Sequence, residues 1–179
     1  MRNLCITFLF LTIIGLGCLG NFAPTQKPTN TEVLRIHIRA NSNNQQDQQV
    51  KYKVKDAVVE FLTPNLVDCT TKTKAEEKIQ SLLLQIEKIS DRVLADNGYD
   101  YKSKAKINVE EFPTRVYGGL TLENGFYDAL IIELGSGSGD NWWCVVYPPL
   151  CFSGEGTNYV YKSKLKQIIN DFYEKQKRR

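Results

Sequence analysis

The apolar residues of this chain change period twice, and that pattern limits the folds open to it. Leu34, Ile36, Ile38 and Ala40 alternate with Arg35, His37 and Arg39, the two-residue period of a half-buried strand with His37 on its polar face. Val50, Val54, Ala57, Val58 and Phe61 then recur at helical spacing, as do Ile79, Leu82, Leu83, Ile86, Ile89 and Val93. Ser42 with Gln45 and Thr73 with Glu76 have capping-box spacing, while Thr63-Pro64 and Asn97-Gly98 mark the helix ends. Alternation returns at Ala105, Ile107 and Val109 and stops at Phe112-Pro113. Strands are predicted near Arg115 to Tyr117, Leu120 to Leu122, Asp128 to Leu134 and Trp142 to Tyr147, before a last helical stripe of Leu165, Ile168, Ile169 and Phe172. The order is strand, helix, helix, strand meander, helix. It predicts an α+β fold, a largely antiparallel sheet with helices packed on one face.

The amino terminus sets the expected compartment. Met1-Arg2-Asn3 is followed by an uncharged run from Leu4 to Leu19 that grades into small residues, as an export signal does. Residues 1–20 are therefore expected to be a signal peptide or a short membrane anchor, residues 21–31 a Pro/Thr/Asn linker, and residues 32–179 a single globular domain. Leu16-Gly17-Cys18 leaves lipidation at Cys18 open, and an uncleaved segment would itself contact the membrane. The formal charge of +3 comes from 23 basic and 20 acidic residues mixed along the chain, so no nucleic-acid surface stands out. The basic cluster is Lys175 to Arg179. It fits favourable charge at a helix C-terminus, or contact with an anionic membrane or partner.

Export gives meaning to the densest block, Asn141 to Phe152, which holds both tryptophans, a proline pair and two of the five cysteines. In an oxidising space Cys144 and Cys151 are a candidate disulfide, and a loop this short would contribute roughly 2.5 kcal/mol in the chain-entropy model. The other reading is a pair of buried free thiols. Cys69 is left over. Trp142 and Trp143 are adjacent, so on a strand they face opposite sides of the sheet, and only one can meet the helical layer. Core packing accounts for that one; the other, on the open side together with Val145 and Tyr147, is a candidate anchor. Trp142, Trp143, Tyr147, Pro148 and Pro149 are accordingly the candidate partner-contact residues.

No catalytic residues, cofactor or metal are assigned. Gly135-Ser136-Gly137-Ser138-Gly139 has Asp140 where a dinucleotide fingerprint needs glycine, and a strand follows it in place of a helix, so a hairpin turn is expected. His37 is the single histidine. It is the one candidate base for a cysteine nucleophile or a serine triad, and a nucleophile elbow is missing.

Four ordered motifs resemble the stage II sporulation protein R family of endospore-forming bacteria. They are Leu34 to Ser42 with Asp47-Gln48 and Lys51 to Asp56, Phe112 to Gly118, Gly125 to Leu130, and Asn141 to Phe152. His37, Asn41, Ser42, Arg115, Tyr117 and Gly118 are the motif residues singled out. The resemblance implies a non-enzymatic signalling protein, exported from the forespore into the space between the two sporulation membranes. Its implied partner is the extracytoplasmic part of a membrane-bound aspartic protease of the mother cell, which then processes the precursor of an early sigma factor. Two further classes stay open beside it. One is an extracytoplasmic hydrolase using Cys144 or Cys151 with His37, and the other is an envelope-binding structural module with an aromatic platform.

Overall fold

The computed structural model describes residues 32–117, 120–152 and 159–178. The expected export segment, the linker and Gly118 lie outside the described residues. Among these, no helix is long and apolar enough to cross a membrane.

The elements follow the expected order: β1 (Leu34–Arg39), α1 (Gln45–Leu66), α2 (Lys72–Asp96), β2 (Ser103–Phe112), β3 (Arg115–Tyr117), β4 (Leu120–Leu122), β5 (Gly125–Leu134), β6 (Asn141–Tyr147) and α3 (Tyr159–Lys177). The chain is an α+β protein with a mostly antiparallel, mixed sheet. Its main sheet has the order β2-β5-β1-β6, and β3-β4 form a separate two-stranded sheet. β1 runs parallel to β5 and antiparallel to β6, while β2 and β5 are antiparallel over their whole length. The chain therefore departs from a simple meander. The first strand of the chain is inserted between the last two.

Helices α1 and α2 cover one face. Leu34, Ile36 and Ile38 of β1 and Leu130, Ile132 and Leu134 of β5 pack there with Val50, Val54, Val58 and Leu62 of α1 and Ile79, Leu82 and Ile86 of α2. The buried stripe of α2 continues through Ser90 and Leu94, in place of the expected Ile89 and Val93, which are only half-buried. Steps of four residues from Leu82 keep one side down, and the Ser90 hydroxyl is satisfied by donating to the Ile86 carbonyl at 2.8 Å.

The other face is covered as well. Val33, Phe112, Leu122, Tyr127, Ala129, Ile131, Val145 and Phe172 of α3 form a second cluster. That explains why β5 reads as a near-continuous apolar run, since it is central and buried on both sides. It also corrects the expectation for His37 and Arg35. Both were placed on a solvated strand face, and both are fully buried beneath the second cluster.

Three local signals resolve differently from their sequence reading. The N-cap of α1 is Asn44, whose side chain accepts from the Asp47 backbone N–H at 2.7 Å; Ser42 bonds the Asp47 carboxylate instead. The N-cap of α2 is Thr71, which accepts from Lys74 at 3.2 Å, and not Thr73. Pro64 does not end α1. The helix runs on to Leu66, with the Thr63 hydroxyl bonding the Val59 carbonyl at 2.7 Å in the last turns. The end of α2 at Asn97-Gly98 is as expected, with Gly98 at φ 82.

Candidate functional site

Two structures are built around β1, one at its C-terminal end and one on its second face. The first is a polar knot. Asp47, in the first turn of α1, is buried and accepts from Ser42 Oγ at 2.6 Å, Asn41 Nδ2 at 2.9 Å, Asn44 Nδ2 at 3.2 Å and Tyr101 Oη at 2.8 Å. Burial alone would raise its pKa, but those hydrogen bonds outweigh it and hold the carboxyl below its usual range. Asn41 extends the knot to the connection between β5 and β6. Its side-chain oxygen accepts from the Ser136 N–H at 3.0 Å, and its carbonyl from the hydroxyls of Ser136 at 2.6 Å and Ser138 at 2.8 Å.

That connection was expected to be a hairpin turn. It instead arches over the end of β1, because β1 lies between the strands it joins. The glycines answer to this crossing: Gly135 and Gly137 have φ 58 and φ 62, and a Cβ at Gly135 or Gly139 would collide with Asn41 or with the Ser42 backbone. Lys51 closes the far side. It is buried, donating to Gln48 Oε1 at 2.6 Å and the Asp140 carbonyl at 2.9 Å, and burial lowers its pKa.

The second structure is an aromatic cage on the opposite face. The Arg35 guanidinium lies 4.2 Å from the centroid of Phe112, 4.9 Å from that of Tyr127 and 5.9 Å from that of Tyr117. It donates to Tyr117 Oη at 3.0 Å and to the Pro113 carbonyl at 3.5 Å, and among the described residues no carboxylate pairs with it. Burial lowers its pKa, against the favourable influence of Tyr117.

His37 lies next along β1. Trp143 stacks on it with ring centroids 4.9 Å apart and planes 5° from parallel, and Phe112 meets its edge at 5.3 Å. Glu110 Oε2 comes within 3.0 Å of Nε2, yet off the line of an N–H bond, and that carboxylate is already held by Arg39 at 2.6 Å. Burial, followed by the charge of Arg39, pushes the His37 pKa down to about 3, so the ring is neutral.

A pH prediction follows from that neutral ring. The unfolded histidine takes up its proton near pH 6.5, whereas the folded one resists until about 3. Its contribution to stability is therefore present above pH 6.5 and is lost as pH falls through this window. Between pH 7 and pH 5 the wild type should lose about 2 kcal/mol more than His37→Leu. Urea titrations at both pH values check this; parallel pH dependence in the two proteins would refute it.

The aromatic block is placed differently from its expected role. Cys144 and Cys151 form the disulfide, with Cα atoms 6.1 Å apart, and Cys69 is a buried free thiol. Trp142 and Trp143 do face opposite sides. Trp142 packs against the helix-side core with Lys55 Nζ 5.9 Å from its ring, and Trp143 joins the cage. The second side is not open, however, and Trp143 is half-buried in the cage. Tyr147 and Val145 do not share a phase, because a register shift opposite Leu34 and Arg35 turns Tyr147 to the helix side. There Tyr147 lines a cleft of about 300 Å³ with Thr70, Lys72, Asp171 and Phe172. Pro148 and Pro149 are buried, which removes them as surface contacts.

The cysteine–histidine pair is not assembled. Cys69, Cys144 and Cys151 pack on the helix side of the sheet, and His37 lies on the other. Sequence reasoning missed Arg35, Tyr101 and Tyr127 as central residues. A usable signal was present in the aromatic residues of three separate motifs, Phe112, Tyr127 and Trp143, which need a common partner in space.

These features define a small α+β protein whose motif residues converge on one buried strand, with a cage on one face and a polar knot at its end. The chain belongs to the stage II sporulation protein R family, whose sequence profile matches residues 30–157. It is 36% identical over 156 residues to the stage II sporulation protein R of Bacillus subtilis strain 168, which covers 83% of this chain and 69% of that protein. No solved structure matches the chain.

Proposed function

We propose that this protein is an exported signal of sporulation, passed from the forespore into the space between the two membranes. There it binds the extracytoplasmic part of a membrane-bound aspartic protease of the mother cell and activates it, leading to processing of a sigma-factor precursor. Activation is by binding. A protein ligand shifts its receptor toward the active state when it binds that state more tightly.

The observation that carries this reading is the family match across residues 30–157, which spans all four motifs. The geometry is compatible with a binding role. Residues from the four motifs brace one another around β1, which gives a pre-organised surface and lowers the ordering cost of association. The sequestered, neutral His37 and the bridged Cys144 and Cys151 have structural tasks.

Co-expression of the full chain with the candidate membrane protease and its precursor substrate tests the proposal. Substrate cleavage should depend on this chain. Unchanged precursor, in cells where the chain is exported and the protease is present, would refute the activator role.

A further inference from the structure

β2 is an edge strand of the main sheet, and its free edge is capped at one end and open at the other. The Ser103 N–H donates to Asp91 Oδ1 at 2.7 Å and the Ala105 N–H to Glu87 Oε1 at 2.8 Å, so two carboxylates of α2 close the edge where the strand begins. The caps stop there. Backbone groups alternate in direction along a strand, and β2 keeps unbroken register with β5, so the outward N–H and C=O groups recur at Ile107, Val109 and Glu111. Among the described residues, no strand or side chain takes those three N–H groups.

The course of α2 explains where the capping ends. The helix runs back along β2, and one helical turn of about 5.4 Å advances nearly as far as two strand residues, roughly 6.8 Å. Asp91 serves Ser103, Glu87 serves Ala105, and the next exposed residue on that side of the helix, level with Ile107, is Leu84. Leu84 is 70% exposed, more than any other large apolar side chain among the described residues. An apolar group thus stands where a third carboxylate would have continued the series. Lys104 and Lys106 flank the start of the open span on the opposite face of the sheet. Both are exposed; Lys106 reaches Glu133 at 3.3 Å, while Lys104 meets no carboxylate among the described residues. Edge groups in this alternation are satisfied by another extended backbone, and an added strand turns successive side chains to opposite faces of the sheet.

We propose that the open edge of β2 from Ile107 to Glu111, with Leu84 beside it, is the receptor-docking surface. Its occupant is an extended segment of the receptor's extracytoplasmic part, added to the sheet as a further strand, with an apolar side chain toward Leu84 and an acidic one toward Lys104 and Lys106. This rests on the activator role proposed above.

The test uses the full chain and the co-expression assay, with Leu84→Asp, Val109→Pro, Lys104→Glu and, as an exposed apolar control elsewhere, Val116→Asp. Val116, on β3, is 66% exposed. Val109→Pro removes one outward N–H and leaves the ladder to β5 in place; should it fail to fold, Leu84→Asp on the helix surface carries the same test. Leu84→Asp and Val109→Pro should each lower cleavage and capture of the detergent-solubilised protease by about tenfold or more, with melting temperatures close to wild type. Lys104→Glu should lower capture by about threefold. Val116→Asp should keep full activity. Amide exchange at Ile107, Val109 and Glu111 should slow when the solubilised protease binds. Wild-type cleavage by Leu84→Asp and Val109→Pro would overturn the docking surface alone, as would an equal loss in Val116→Asp or unprotected amides in the complex. Unchanged capture by Lys104→Glu would overturn the acidic character of the segment. No cleavage and no capture with the wild-type chain would overturn the activator role, and the docking surface with it. If the wild type is a dimer that Leu84→Asp splits while protease capture is unchanged, the edge pairs with a second copy and the proposal fails.

Discussion

Phe112→Ala should destabilise the protein by about 3–5 kcal/mol and lower its melting temperature by roughly 10 °C. Phe112 is fully buried at the end of β2, and its ring is shared by four neighbours. Arg35 lies over its face at 4.2 Å, and the rings of Trp143, His37 and Tyr127 meet it with centroids 4.7, 5.3 and 5.9 Å away. Truncation leaves a cavity and takes the closest π face from a buried cation that, among the described residues, has no carboxylate to replace it. Phe112→Leu should fall between the two, because it fills most of the volume and supplies no ring. Exposed Val116→Ala, close by in the chain, should change stability by less than about 0.5 kcal/mol. Thermal and urea unfolding measure all three, and a loss below about 1 kcal/mol for Phe112→Ala would contradict a central role for the cage.

Asp47→Ala should cost about 3 kcal/mol at neutral pH. One buried carboxylate takes hydrogen bonds from Ser42, Asn41, Asn44 and Tyr101, and its removal breaks four bonds at once, three of them from half-buried donors that water replaces only in part. Asn41 also holds the β5-β6 connection, so the damage should spread to Ser136 and Ser138. The sign of the pH effect is definite. Because the folded pKa is depressed, the contribution of Asp47 is present above about pH 4 and is lost as pH falls further, so the gap between variant and wild type should narrow in acid. Amide exchange at Ser136 would report the loosened connection directly. A constant gap from pH 7 to pH 3 would show that the charge of Asp47 plays no part.

The two predictions mark where sequence reasoning reached and where it stopped. Asp47 belongs to a motif quoted from the sequence, yet its role depends on Tyr101, which is 54 residues away. Ser42 was read as a cap, and capping-box spacing could not distinguish it from Asn44, because both offer an acceptor at the right offset. The Cys144–Cys151 bridge was one of two readings the sequence offered, favoured over free thiols by the expected export, and the structure forms it. The burial of Pro148 and Pro149 was not legible, since prolines in a turn carry no signal of which side the chain folds over.

Periodicity alone determined the element order, the helix-facing sides of the strands and the α+β class, because a side chain's direction along a regular element follows from local geometry. It also placed Trp142 and Trp143 on opposite sides of the sheet. Only the tertiary structure decided that β1 is a central strand. An alternating strand looks the same from its sequence whether its polar face meets water or a second layer. Here Phe112, Tyr127, Trp143 and Phe172 arrive from four distant segments to cover it. The cage exists because a guanidinium buried without a carboxylate still gains from aromatic faces and two hydrogen-bond acceptors, and only folding brings those groups to Arg35.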